Sequence, residues 1–324
     1  MTPLAGLRFQ SYSTSTPDNR ILAAALPALR LTKRRASPSL EVSLWRRQLI
    51  RYSLELKKQM VSSASCWLGK VDPMLNIVIP MAGAGSRFVS AGYTDPKPLV
   101  RVHGVPMIRL VIDNLTPKEE HQFIFICQQA HLQAYDLEEK LGRWAPGSAV
   151  VPLQGLTEGA ACTVLRAKSL IDNDDELMIA NSDQYVDVDI NEYLAAMRVR
   201  ELDGLIMTMK AHDPKWSFIG MSDLGYVSTV VEKAVISNEA TTGIYNFKHG
   251  RDFVAAAESM IREDSRVNGE FYVAPAYNLL IGEGAKVGYF NIGSEGRGMY
   301  GLGTPEDLTK FVALDIAKSV SARF

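Results

Sequence analysis

Leu75-Asn76-Ile77-Val78-Ile79-Pro80-Met81-Ala82-Gly83-Ala84-Gly85-Ser86-Arg87 is the stretch whose reading decides the fold. A nearly continuous apolar run that breaks into a glycine-rich turn is the mark of a strand covered on both faces, as in parallel sheets. Residues 123–127, 149–151 and 177–180 have the same character, and helical patterns at 107–114, 131–141 and 160–170 lie between them. This alternation predicts an α/β fold with a mainly parallel, doubly wound sheet. Beyond residue 200 the pattern is more mixed: 204–210, 226–231 and 241–247 read as strands, and 251–262 and 305–317 as amphipathic helices. Thr304 reads as the cap of the last of these, with Pro305 in its first turn.

Open sheets of this kind bind ligands beyond the carboxyl ends of their strands. The residues just after each strand are therefore the informative ones. Gly83 and Gly85 let the backbone come close to a phosphate, since no Cβ intervenes. The successive N–H groups of Ala82, Gly83, Ala84, Gly85 and Ser86 can form an anion nest, and Arg87 adds a charge-assisted donor. The same glycines would also suit a plain strand-to-helix turn. The spacing is not that of a dinucleotide fingerprint, whose third glycine would fall at Phe88, nor of a P-loop, since no GK[ST] follows. In Thr94-Asp95-Pro96-Lys97-Pro98-Leu99 two prolines hold Lys97 in an extended segment, where its ammonium can meet phosphate charge. Asp183 follows the 177–180 strand and suits either a hard cation such as Mg²⁺ or a helix cap. Asp187-Val188-Asp189 reads as a solvated turn into a helix near Asn191.

The 324-residue chain has a formal charge of −1, which hides an asymmetry. Residues 1–73 carry 12 Lys/Arg against 4 acids, whereas the remainder carries 23 against 32. The expected division is a basic extension at 1–73, disordered, non-native or targeting, before one domain at 74–324. An amphipathic helix could form at 40–60. Nothing in the balance points to nucleic acid. No apolar run is long enough to span a membrane. Cys66, Cys127 and Cys162 are scattered and form no CxxC pair, so neither a disulfide framework nor a zinc site is expected. A soluble, cytoplasmic protein is the expectation, with organelle targeting as the other reading of the extension. A homo-oligomer is left open.

Ile79-Pro80-Met81-Ala82-Gly83-Ala84-Gly85-Ser86-Arg87-Phe88 followed by Asp95-Pro96-Lys97-Pro98-Leu99 resembles the signature of the sugar-1-phosphate nucleotidylyltransferases. This is the glucose-1-phosphate thymidylyltransferase family, and the likeness is to its capsule and lipopolysaccharide sugar subgroup. The resemblance covers about residues 74–312. It implies a Rossmann-like, doubly wound mixed sheet of the nucleotide-diphospho-sugar transferase type, with an NTP and a sugar 1-phosphate as substrates and Mg²⁺ as cofactor. Arg87 and Lys97 would contact the triphosphate. Leu156-Thr157-Glu158-Gly159 resembles the base-binding loop, with Gln154, Glu158 and Gly159 as its readers. Asp183 would bind Mg²⁺. Glu232 and Lys233 would take a sugar hydroxyl and the acceptor phosphate, with Gly243 letting the sugar approach the backbone. Where relatives place a second metal-binding aspartate this chain has Ala274 or Pro275, which leaves Glu270 as the nearest carboxylate. Trp216 could stack on the substrate or anchor the core.

These parts describe an in-line transfer by Arg87, Lys97, Asp183 and Lys233. Two other readings stand beside it: a GT-A type glycosyltransferase with its metal on Asp187 and Asp189, and a non-catalytic nucleotide-sugar binding protein.

Overall fold

The computed structural model describes residues 74–324. The basic segment 1–73, including the helix expected at 40–60, lies outside the described residues.

Thirteen strands are named in chain order: β1 (Leu75–Pro80), β2 (Arg101–Val102), β3 (Val105–Pro106), β4 (His121–Gln128), β5 (Ala149–Leu153), β6 (Glu176–Ala180), β7 (Gln184–Val186), β8 (Gly204–Lys210), β9 (Ser217–Met221), β10 (Val227–Glu232), β11 (Glu239–Phe247), β12 (Val287–Glu295) and β13 (Gly298–Gly301). Eleven of them form one sheet, in which β5-β4-β1-β6-β11-β8-β12-β13-β7 run in that order and β9 and β10 branch from β11. β5, β4, β1 and β6 are mutually parallel. β11 runs against both β6 and β8. β2 and β3 make a separate small hairpin.

The apolar run of β1 now has its physical reason. Its side chains alternate between the two faces of the sheet. Leu75, Ile77 and Ile79 pack on one side with Ile108, Val111, Leu115 and Phe125. Val78 packs on the other with Ile124, Ile126, Val164 and Phe253. Helix Met107–Leu115 covers the first face and helix Gly250–Arg262 the second. Each fully buried aliphatic side chain of this kind stabilises the fold by about 1.5–3 kcal/mol.

Three expected helices prove to be broken. The 131–141 pattern is two helices, Gln129–Tyr135 and Leu137–Trp144, because Asp136 takes a left-handed backbone at φ 47°. The 160–170 pattern is helix Ala160–Val164, a 3₁₀ turn Leu165–Ala167 and helix Lys168–Ile171. The 305–317 pattern stops at Val312 and restarts at Asp315, since Leu314 is extended. Thr304 does cap Pro305–Val312, accepting from Asp307 N at 3.1 Å. Strands β2, β3, β7, β9, β12 and β13 were not legible in the sequence. β12, Val287-Gly288-Tyr289-Phe290-Asn291-Ile292-Gly293-Ser294-Glu295, is largely half-exposed and lacks an apolar run. No helix among the described residues is long and apolar enough to cross a membrane.

Candidate active site

The sheet order reverses beside β1: chain progress from β1 goes to β4 and β5 on one side, then returns to β6 on the other. The carboxyl ends of β1 and β6 flank this switch point, where a crevice forms between diverging connections. Pro80, Met81, Gly83, Gly85, Lys97, Pro98, Asn181, Ser182 and Asp183 line a cavity of about 250 Å³ there. Four larger hollows of about 400–540 Å³, among them those at helix Gly250–Arg262 and beside Arg109, hold neither the glycine loop nor Asp183. Convergent chemistry, not size, marks the site.

Lys97 and Asp183 meet in this cavity. The Lys97 ammonium donates to Asp183 Oδ2, and both side chains are about three-quarters buried. Two glycines permit the approach. Gly85 has φ 60°, and a Cβ on it would stand 3.2 Å from Lys97 Cβ. A Cβ on Gly303 would stand 2.8 Å from Asp183 Oδ2. Leu302 N donates to the Asp183 carbonyl at 2.8 Å, which pins that backbone in place. Lys97 is not fully extended as expected: only Pro96 is, and Lys97 opens the 3₁₀ turn Lys97–Leu99. Gly83 has open space around it. Arg87, exposed in the short helix Ser86–Ser90, makes no side-chain hydrogen bond or ion pair among the described residues.

The 154–159 loop borders the glycine loop. Gln154 is exposed. Glu158 pairs with Arg266 at 3.3 Å. Gly159 has φ 130° and ψ 174°, and a Cβ there would fall within 2.5 Å of Phe271 N. Its lack of a side chain therefore serves a backbone junction: Phe271 N donates to Glu158 O at 2.8 Å and Ala161 N to Phe271 O at 3.0 Å. Thr157 does not cap the following helix; its hydroxyl donates to Gly159 O and contacts the Thr163 hydroxyl.

Lys233 has φ 56°, a left-handed backbone that a lysine adopts at a cost. Its ammonium rests on the Tyr272 hydroxyl, 4.5 Å above that ring. This hydrogen bond, together with nearby acids, holds the lysine's pKa above its ordinary value, so it stays cationic. Glu232 is buried, with Ser217 Oγ donating to it. Burial raises its pKa, which the Ser217 hydrogen bond and Lys233 partly oppose. The folded chain thus holds more protons than the unfolded one just above the ordinary glutamate range, and stability falls as pH rises through that window. Glu232→Gln is expected to flatten this decline, read as Tm against pH; an unchanged slope would assign the decline elsewhere.

Gly243 has φ 85°, and the place of its missing Cβ is filled by Asn181, whose Cγ would lie 2.8 Å away. The space expected for an approaching sugar is taken on that face by a protein side chain. Gln184 stands over the same glycine, almost fully buried, with its Nε2 unpartnered. Trp216 packs against Met209, Phe218, Ala240 and Met299, the anchor reading, while Lys215 covers its ring at 4.9 Å. Glu270 is exposed and shares its surroundings with Glu232, Lys233 and Tyr272. No group of three or more His, Cys, Asp or Glu is gathered for a metal among the described residues. Asp189 caps helix Ile190–Val199, accepting from Asn191 N at 2.9 Å. That use of the carboxylate disfavours a metal on the DxD.

A family model described as nucleotidyl transferase matches residues 77–278. The chain belongs to the nucleotidyl transferase family. No curated protein matches it. Among solved structures, a nucleoside-diphosphate-sugar pyrophosphorylase from Vibrio cholerae RC9 is 27% identical, with a TM-score of 0.62 over 74% of this chain and 100% of its own. An inositol-1-phosphate CTP transferase from T. maritima is 16% identical, with a TM-score of 0.58 over 77% and 96%. A UDP-glucose pyrophosphorylase from Acinetobacter baumannii is 18% identical, with a TM-score of 0.57 over 77% and 98%. The last two show the shared fold, which is the nucleotide-diphospho-sugar transferase type expected from the sequence.

Among the described residues of this nucleotidyl transferase, no thiol lines the crevice. Burial, helped by Glu138, pushes the Cys127 thiol up to about 12, where it is inert. Sequence reading missed Tyr272, Asn181, Gln184, Gln128 and Gly303. Asn181 and Tyr272 stood in motifs read for Asp183 and Glu270, and Gly303 in Gly301-Leu302-Gly303-Thr304, which reads as an ordinary helix start, but none was given a role. Gly303→Ala is expected to push the Asp183 carboxylate aside and lower kcat about 10-fold or more, since misplacement on the ångström scale is costly. Melting temperature should move little. Full kcat in a folded variant would show that Asp183 tolerates displacement.

Proposed function

We propose that the chain transfers a nucleotidyl group from an NTP to a sugar 1-phosphate, releasing pyrophosphate and forming an NDP-sugar. The observation that carries the reading is the Lys97–Asp183 pair beside the glycine loop at the switch point. Membership of the nucleotidyl transferase family and the likeness to a nucleoside-diphosphate-sugar pyrophosphorylase support it.

In this reading the loop Ala82–Ser86 and Arg87 receive the triphosphate, and Gln154, Glu158 and Gly159 border its base. Lys233 and Glu232 face the acceptor. A phosphate oxygen of the sugar phosphate attacks the α-phosphorus. The bond from that phosphorus to the β-bridging oxygen breaks, and its electron pair leaves with pyrophosphate. The attacking oxygen is already anionic, so no general base is needed. Lys97 and Arg87 meet negative charge on the NTP, and Lys233 meets it on the acceptor. The resting contact of Lys97 with Asp183 keeps the ammonium inside the crevice.

Asp183 offers one hard carboxylate, with no Cys or His beside it in the cavity among the described residues. This donor set fits Mg²⁺, which takes one or two carboxylates and completes its shell with phosphates and water. When bound, the ion would supply further neutralisation of phosphate charge. A cytoplasmic location is consistent with an NTP substrate, with organelle targeting by residues 1–73 as the other reading, and the subgroup resemblance points to surface polysaccharide precursors.

The test is pyrophosphate release across four NTPs crossed with a panel of sugar 1-phosphates. Turnover with one pair and NDP-sugar as product supports the reading. Tight NTP binding without turnover on any acceptor would favour a nucleotide-sugar binding protein.

A further inference from the structure

We propose that Gln128 is a positioning residue that fixes the glycine loop to the 154–159 loop, so that the two hold one nucleotide in register. Gln128 Nε2 donates to Ala82 O at 2.6 Å and to Gly155 O at 2.7 Å. Both partners are carbonyls and can only accept, so the amide must present its NH₂ side, and both hydrogens are used. The fold gives this position its reach. In the sheet β4 lies between β1 and β5. Gln128 is the last residue of β4, Ala82 follows β1 and Gly155 follows β5. A side chain at the end of the middle strand can therefore touch both flanking loops. Gly155 has φ 74° and nothing around its Cβ position, so packing against its α-carbon does not hold it. Ala82 opens the loop assigned to the phosphates, and Gly155 adjoins Gln154 in the loop assigned to the base. The inference rests on the nucleotide reading above, and it adds the element that sets the spacing between the two ends of the nucleotide.

Gln128→Glu tests it, because the replacement keeps the shape and sets a carboxylate against two carbonyl oxygens. The Michaelis constant for the NTP should rise about 10-fold or more, a change of about 1.4 kcal/mol for each tenfold step. Discrimination among NTPs should narrow, while the Michaelis constant for the sugar 1-phosphate stays as in the parent. Gln128→Asn, one methylene short of spanning both carbonyls, should show a smaller effect in the same direction at unchanged melting temperature. If Gln128→Glu unfolds the protein, the Asn variant decides. Parent-like NTP affinity and selectivity in the folded variant would overturn the proposal, as would equal loss toward both substrates. Lys97→Ala separates the two levels: if it abolishes turnover while the Gln128 variants behave as parent, only the positioning role falls. If Lys97→Ala stays fully active, the nucleotide reading falls first.

Discussion

Lys97→Ala and Asp183→Ala are each expected to lower kcat for pyrophosphate release on the order of 10²- to 10³-fold, the scale set by removing one preorganised donor from a developing charge. The two residues are 86 positions apart and meet in the crevice as one ion pair. Their effects should therefore be strongly non-additive: the double variant should be little worse than the poorer single one. Neither change should reach the fold. The pair is three-quarters buried but stands at the open end of β1 and β6, lining the cavity. Its net contribution to stability should resemble that of a partly exposed ion pair, within about 1 kcal/mol. Steady-state pyrophosphate assays on the three variants, beside their melting curves, check this. Full turnover in both single variants would refute the mechanism.

Gly159→Ala should produce the largest structural effect of any single methyl added to the site. At φ 130° and ψ 174° the backbone lies in a region that only glycine occupies freely. Strain of about 1–3 kcal/mol joins a further overpacking cost of about 1–3 kcal/mol, because the new Cβ meets the backbone of Phe271, which cannot rotate away. At about 2–4 °C per kcal/mol for a domain of this size, Tm should fall on the order of 10 °C. Function should suffer on both sides of the crevice, since Phe271 adjoins Tyr272, the partner of Lys233. Gly83→Ala is the control: with open space around it, the added methyl should leave Tm within about a degree or two, as for substitutions away from packed features. A Gly159→Ala protein that melts with the parent would mean that the junction yields easily.

The core of the fold was legible because the parallel strands declare themselves. β1, β4 and β6 are covered on both faces, so they read as apolar runs, and the turn after β1 is written in glycine. Lys97 and Asp183 were legible for a different reason: each stands at a fixed offset within a motif that survives without its partner. The glycines were legible as positions and not as reasons. Gly159 is required by Phe271 and Gly243 by Asn181, and no local pattern announces a neighbour more than 60 or 110 residues away in sequence. Gln128, Tyr272 and Gly303 escaped for the same cause. An amide at a strand end, a tyrosine in a loop and a glycine before a helix are ordinary until tertiary structure gives them partners. The broken helices failed on backbone alone: apolar positions packed on the core continue across the breaks, from Leu132 to Leu137 and from Val312 to Ile316, even though a single regular helix does not.

The antiparallel seam between β6 and β11 has a kinetic corollary. Asp183 follows β6, which ends the parallel set β5-β4-β1-β6, and Gly243 sits in the strand beside it, with Asn181 N bonded to Gly243 O at 3.2 Å. The strand that leads to Asp183 and the strand that carries Gly243 thus belong to one ladder, not to two lobes joined by a hinge, while β10, which ends at Glu232, joins β11 through β9. Across this seam closure of one lobe on another is not needed. In the proposed reading the loops that end the strands, at 82–86, 154–159 and 233–238, bring the substrates together. In that reading turnover is gated by segments a few residues long, and a cross-link between β6 and β11 beneath them should leave the catalytic cycle running.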